Sequence, residues 1–327
     1  MPYDSIINSA ALSDAMNAPE NSTEIFQNAV ENSALMSLAR RLPNMGTGTR
    51  NITVLDSLPL AYFVGANTES GAPGFKQTTD QGWKGKVLTA EELAVIVPFS
   101  ESVLADSAVD LEAQVIPRIG EAMGRLVDSV CLSGSGLPAT WMTTTAGVSR
   151  GIAPGAVAAG NAVALGTGAD LYDDLANEEG VWAAVEGDGY TVTGSLMHPV
   201  MMGRLRGVRD GSTGVPIFGR TLDGNYSLMN ERTLIARNGS MAAEYPLIAG
   251  DWSQVVWAIR QDITVKLLSE GVIQDAEGEI VHNLAQQDMV ALRVVFRLGV
   301  QIANPVTSLS TSESTRYPFA VLTNIAS

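Results

Sequence analysis

The chain has 327 residues, of which 17 % are charged and 46 % hydrophobic, and a formal net charge of −15. That balance argues against nucleic acid or an anionic membrane surface as a tightly held partner, because phosphate contacts need clustered Lys and Arg, and Arg40-Arg41 is the longest basic cluster. The only cysteine, Cys131, rules out an internal disulfide, and His198 and His282 are too few for a His-rich metal site.

The length suggests about two domains. The charged fraction lies below the about 25 % of an ordinary soluble chain, as expected of a subunit that covers surface with partners. Met1-Pro2-Tyr3-Asp4 is acidic and no signal-type apolar segment follows, so a soluble protein made in a reducing compartment is expected.

Residues 1–20 are polar and acidic without periodicity and read as an arm. Asn21-Ser22-Thr23 offers caps for a helix carrying Ile25, Phe26, Val30, Leu35, Met36 and Leu38 at near-helical spacing. Arg40-Arg41 suits its last turn and Pro43 stops it. Residues 44–57 look extended. Ala61-Tyr62-Phe63-Val64 and Leu93-Ala94-Val95-Ile96-Val97 read as two strands around a polar tip containing Lys76, Lys84 and Lys86, three of the chain's four lysines. The result is a protruding hairpin with little core of its own, which is marginal unless it lies on something.

The longest helix is expected over 107–134, with a stripe of Leu111, Val115, Ile119, Met123, Leu126 and Val130. Pro117 should kink it or move its start. Residues 151–169, mostly Gly and Ala, read as loop rather than membrane span. Turn signals are dense over 137–250, with helical patches near 170–186 and 198–209, so this region reads as a compact mixed α/β domain. The strongest strand signal is 289–303. There Val290, Leu292, Val294, Phe296, Leu298, Val300 and Ile302 face one way, and Met289, Ala291, Arg293, Val295, Arg297, Gly299 and Gln301 the other. That strand would be about 46 Å long, with residues 259–267 as its partner. A polar tail ends in an apolar patch, Phe319-Ala320-Val321-Leu322.

The order of these segments is arm, capped helix, lysine-bearing hairpin, Val-Pro-Phe-Ser-Glu-Ser-Val-Leu-Ala-Asp-Ser (97–107), and a long helix ending Val-Asp-Ser-Val-Cys-Leu-Ser-Gly-Ser-Gly (127–136). Leu-Ile-Ala-Gly-Asp-Trp-Ser (247–253), Ile-Thr-Val-Lys (263–266), Gln-Asp-Met-Val-Ala-Leu-Arg (287–293) and Asn-Pro (304–305) follow. Over roughly residues 22–306 the set resembles the major capsid proteins of tailed phages, which have the α+β Hong Kong 97 type of fold. No single motif is specific; the ordered set carries the resemblance.

The resemblance implies an N-terminal arm with helix (1–56), an extended hairpin loop (57–97), a peripheral domain with a spine helix (98–134 and 262–303) and an axial domain (135–261 and 304–327). It implies a self-assembling subunit that forms hexamers and pentamers of an icosahedral head around double-stranded DNA, without sequence-specific binding. A portal protein and a decoration protein would be further partners. With about 20 residues before the first helix, a separate scaffolding protein, or none, is expected. An encapsulin-like compartment or gene-transfer-particle shell is the alternative within the fold. Some family members cross-link a loop lysine to an Asn on a neighbour with help from a carboxylate. Here 289–303 contains no Asp or Glu, so no base is at hand and no self-cross-linking is expected.

No cofactor, metal or enzyme activity is expected. Gly134-Ser135-Gly136 follows a helix and has Ser at 133, so it is a helix stop rather than a nucleophile elbow. Gly46-Thr47-Gly48-Thr49-Arg50 lacks the Gly-Lys-Ser/Thr of a phosphate loop. Asp173-Asp174 and Glu178-Glu179 read as a solvated helix face, and Cys131 as packed. The candidate contact residues are Lys76, Lys84 and Lys86, facing Asp110, Glu112 and Glu121 on the spine helix of an adjacent subunit. The plain alternative is that the lysines keep an exposed hairpin soluble.

Overall fold

The computed structural model describes residues 33–61, 78–101, 111–144, 146–209, 214–218, 226–275 and 277–324. The expected arm, the start of the first helix, most of the strand at 61–64, Lys76 and Asp110 lie outside these residues.

The first half contains α1 (Ala34–Leu38), β1 (Arg40–Arg41), β2 (Thr49–Leu55), β3 (Trp83–Thr89), β4 (Glu91–Ser100), α2 (Leu111–Ser133) and α3 (Ile152–Ala159). Next come β5 (Ala162–Ala164), α4 (Leu171–Ala176), α5 (Val181–Gly187), β6 (Gly194–Met197) and α6 (Pro199–Gly207). The last third holds β7 (Tyr226–Leu228), β8 (Glu231–Ile235), β9 (Leu247–Gly250), β10 (Val255–Leu268), β11 (Val272–Gln274), β12 (Ile280–Asn283), β13 (Met289–Ile302) and β14 (Phe319–Thr323).

A four-stranded platform has the order β1-β10-β13-β4. β13 pairs antiparallel with β10 on one side and with β4 on the other, from Met289 opposite Ser100 to Leu298 opposite Glu91. Its even-numbered face, Val290 to Ile302, shares one core with Ile119, Met123, Val127 and Cys131 of α2. The alternation suggested that the other face is mixed. Only Arg293 and Arg297 on it are more than slightly exposed, because the base of the β2–β3 hairpin lies across its Gly299–Gln301 end and Leu284 with Ile273 covers Met289 and Ala291. Gln301 Nε2 donates to Val87 O at 3.0 Å. A Cβ added to Gly299 would fall 2.6 Å from Thr89 O, so glycine is what lets the hairpin approach.

The hairpin differs from the expected one. Its strands are β2 and β3, in register from Thr49 opposite Thr89 to Leu55 opposite Trp83. Residues 93–97, read as its returning strand, belong to β4 and the platform. Ala90 is the break between the two roles.

In α2 the buried stripe follows every fourth residue, Ile119, Met123, Val127 and Cys131, whereas Leu126 is 52 % exposed. The stripe read from sequence took the wrong neighbour at that turn, since positions three and four residues on both lie near the same face. Pro117 sits inside the helix without ending it. The helix before it stops at Leu38, and Arg40-Arg41 runs parallel to Val256-Trp257 as a short strand instead of a helical turn.

The second sheet has the order β5-β14-β9-β6-β8-β7. β14, the late apolar patch, shows why a tail returns to its interior. Phe319 and Val321 point into the core shared with the platform, and Ala320 and Leu322 into a second core under α4, α5 and α6. α3 was read as loop. Its Pro154 lies in the first turn, where backbone N–H groups have no helical partner, and Ile152, Ala153 and Ala156 are fully buried.

Candidate intersubunit contact site

Lys84 and Lys86 stand on β3, two residues apart, and so point the same way across the strand. Lys84 Nζ lies 3.3 Å from Asp56 Oδ1, and both side chains are more than 40 % exposed. Lys86 is only 9 % exposed; its Nζ is 3.1 Å from Glu313 Oε1 and 3.3 Å from Ile302 O. Burial pushes the Lys86 pKa below its usual value, and Glu313 pulls it back up. Within one chain, then, the two described hairpin lysines meet Asp56 and Glu313. Among the spine-helix acids, Glu121 is bridged to Arg118 at 2.7 Å. Glu112 lies on the α2 backbone, but its side chain is outside the described residues.

Reading the sequence did not reveal three polar joints that position these surfaces. The first is Asp128, fully buried on α2. Its carboxylate accepts from Ser33 Oγ at 2.6 Å, Ala34 N at 2.9 Å, Leu35 N at 3.2 Å and Asn238 Nδ2 at 2.8 Å. Ser33 in turn caps α1 through Met36 N at 3.1 Å. Asp128 thus acts as a second cap from another helix, satisfying N–H groups that the short α1 cannot. Burial pushes its pKa up, against four hydrogen bonds that lower it.

The second joint holds the tail. Arg316 is 2 % exposed; its Nε donates to Asn304 Oδ1 at 3.3 Å, its Nη2 to Asn304 O at 3.2 Å and its Nη1 to Ser310 O at 3.1 Å. Asn304 Nδ2 returns a bond to Arg316 O at 3.0 Å, and Tyr190 Oη donates to Asn304 Oδ1 at 2.8 Å. Asn304 has φ +48°, a left-handed turn that Asn tolerates, and it follows β13 on the way to β14 of the second sheet. The third joint is Asp188. It accepts from Asn161 Nδ2 at 2.8 Å and Tyr317 N at 2.9 Å.

The remaining chemical candidates have structural partners. Asp174, read as part of a solvated face, is 3 % exposed and holds Gly166 N at 2.7 Å and Gly168 N at 2.6 Å. His198 Nδ1 accepts from Val200 N at 3.2 Å at the start of α6. Cys131 is fully buried, and burial pushes its thiol pKa up. Among the described residues no group of three His, Cys, Asp or Glu could hold a metal ion, and no helix is long and apolar enough to cross a membrane.

The molecule is a rigid platform joined to a second sheet through polar locks, with a hairpin reaching beyond its own core. A family model described as the phage capsid family matches residues 16–307. The major capsid protein of Staphylococcus phage 80alpha is 25 % identical over 288 residues, covering 87 % of this chain and 81 % of that one. A solved structure from Microbacterium phage Oxtober96 is similar with a TM-score of 0.75 and 37 % identity, over 89 % of this chain and 91 % of that one. One from Mycobacterium phage Cain has a TM-score of 0.73 and 31 % identity, over 90 % and 91 %. The chain belongs to the phage capsid family, with the Hong Kong 97-type fold. Its function is that of a major capsid protein of a tailed phage: a structural, self-assembling component of the virion.

Proposed function

We propose that copies of this chain assemble as hexamers and pentamers into a closed icosahedral head around double-stranded DNA, in the cytoplasm of the host, and carry no catalytic activity. The observation that carries this reading is the outer half of the β2–β3 hairpin. Lys86 and Leu88 near its base are buried, but Trp83, Lys84 and Gly85 are exposed. A two-stranded ribbon without a core is marginal alone and gains stability by lying on a neighbour.

The parts then take these roles: an arm up to residue 48, an extended loop over 49–89 built on β2 and β3, a peripheral domain over 90–134 and 255–303 that keeps β4, β10 and β13 together, and an axial domain over 135–254 and 304–327. Across the subunit boundary, Lys76 and Lys84 face Asp110, Glu112 and Glu121 of the adjacent spine helix, while Lys86 is committed to Glu313 of its own chain. A net charge of −15 keeps the shell from gripping the DNA it encloses. A portal protein, a separate scaffolding protein and a decoration protein complete the partners, and the shell forms without isopeptide cross-links.

Electron microscopy of the purified recombinant protein tests the reading. Closed polyhedral shells, or rings of five and six, are expected, and a boiled denaturing gel should show the single chain only. A small monodisperse species that persists with scaffold co-expression overturns it.

A further inference from the structure

Beside the base of the hairpin lies a pocket of about 190 Å³, room for one aromatic side chain. Leu93, Leu126, Val130 and Trp141 line it, with Glu91 and Glu92 at its rim. Among the described residues, two features mark it as open and unfilled. Leu126 is 52 % exposed on an otherwise well-packed helix. The aromatic among the described residues of the hairpin, Trp83, is 62 % exposed.

Trp83 cannot reach this pocket in its own subunit. Trp141 Nε1 donates to Thr89 O at 3.0 Å, and Thr140 Oγ1 donates to Glu91 Oε1 at 2.6 Å, so the pocket is anchored to the hairpin's base. Trp83 is six residues farther along β3 than Thr89, about 20 Å away at the strand rise. The hairpin is paired over that whole length, which prevents it from folding back.

The unfilled pocket and the unpacked indole are complementary in charge as well as shape. The pocket rim carries two carboxylates, of which Glu92 is 53 % exposed despite its contact with Arg297 at 3.7 Å. The residue after Trp83 is Lys84, whose ammonium meets, among the described residues, the similarly exposed Asp56. Resting on the proposed assembly, we infer that Trp83 of each subunit inserts into the Leu126 pocket of the next copy, with Lys84 set against Glu91 and Glu92. Different patches meet at this contact, so it is heterologous, and repeated head to tail it generates a ring when the rotation closes. A buried aromatic seated in an apolar pocket with a polar rim is the usual anatomy of an interface anchor.

The test uses two full-length variants, Trp83→Cys and Leu126→Cys, mixed before assembly and treated with a short bis-maleimide. Cys131 is fully buried and does not compete. A covalent dimer is expected from the mixture and not from either variant alone. Trp83→Ala should lower shell yield several-fold while leaving the unfolding midpoint of the free subunit in place, and Trp83→Phe should restore most of the yield. Normal wild-type shells together with no mixed dimer and an undiminished Trp83→Ala yield would overturn the contact and leave the shell reading intact. Wild-type protein that makes no shells with scaffold co-expressed overturns the assembly reading, and this contact with it.

Discussion

Asp128 and Lys86 are both buried ionisable side chains that tie distant segments together, yet their surroundings offset that burial by different means. Asp128 has only dipoles around it: two backbone N–H groups, a serine hydroxyl and an asparagine amide. Lys86 has a full counter-charge, Glu313, which remains 23 % exposed. A carboxylate held by dipoles depends on every donor staying in place, so it fixes α1 and the Asn238 loop onto α2 rigidly. A buried ion pair with one member reaching solvent tolerates adjustment. One holds α1 to α2, the other holds the hairpin base to the tail.

The sharpest way to break the Asp128 joint is Asp128→Ala, which removes the acceptor of four donors, the buried Ser33 Oγ and Leu35 N and the partly buried Ala34 N and Asn238 Nδ2. A loss of at least about 3 kcal/mol of unfolding free energy is expected in chemical denaturation. Asp128→Asn keeps the volume but turns an N–H pair toward other N–H groups, so about 1–3 kcal/mol should be lost. The pH dependence runs with the raised pKa. Between 3.8 and the folded value, the folded state binds more protons than the unfolded one. The stability contributed by Asp128 is therefore fully present below 3.8 and declines as pH rises through its folded pKa. Asp128→Asn should remove that slope; an unchanged profile would show that the burial is not felt as charge.

At the Lys86–Glu313 pair the expected effects are smaller and opposite in pH. Lys86→Met alone leaves Glu313 without its ammonium, but Glu313 is partly exposed and can be hydrated, so a loss of about 1 kcal/mol is expected. Lys86→Met with Glu313→Gln should be neutral or stabilising, because both desolvated charges are gone. In the wild type the folded pKa of Lys86 lies below 10.5, so the unfolded state holds more protons between the two values. Stability from this group is present above 10.5 and is lost as pH falls through the folded pKa. Urea midpoints across that window should rise with pH in the wild type and stay flat in the double variant.

The same contrast explains what could be read from the sequence. Periodic segments were legible: the alternation over β13 and the helical stripe of α2 each signal a buried face without knowledge of the partner. α3 was hidden because its Pro and Gly look like loop until Pro154 is seen in a first turn. β3, Trp-Lys-Gly-Lys-Val-Leu-Thr, reads as a polar tip because its burial comes from the platform beneath it. Asp128 did leave a signal, a lone acid between Val127 and Cys131 on the buried side of a helix. Glu313 left none, since it meets Lys86 from 227 residues away. Pairing across such distances is a property of the packed chain, not of any local pattern.

The smallest effect on the subunit should come from Lys84, and it separates folding from assembly. Its bridge to Asp56 is exposed on both sides, so Lys84→Glu should change the stability of the free chain by no more than about 1 kcal/mol. The same change places a carboxylate where the proposed neighbour offers Glu91, Glu92 and the spine-helix acids, and it is repeated at every contact in a shell. Shell yield of a Lys76→Glu, Lys84→Glu double variant should therefore fall in low salt and recover as salt screens the repulsion. Adding Lys86→Glu would confuse the test, because it places a buried carboxylate against Glu313 and so destabilises the subunit itself. Normal yield of the double variant in low salt would leave these lysines with the sole task of keeping the hairpin soluble.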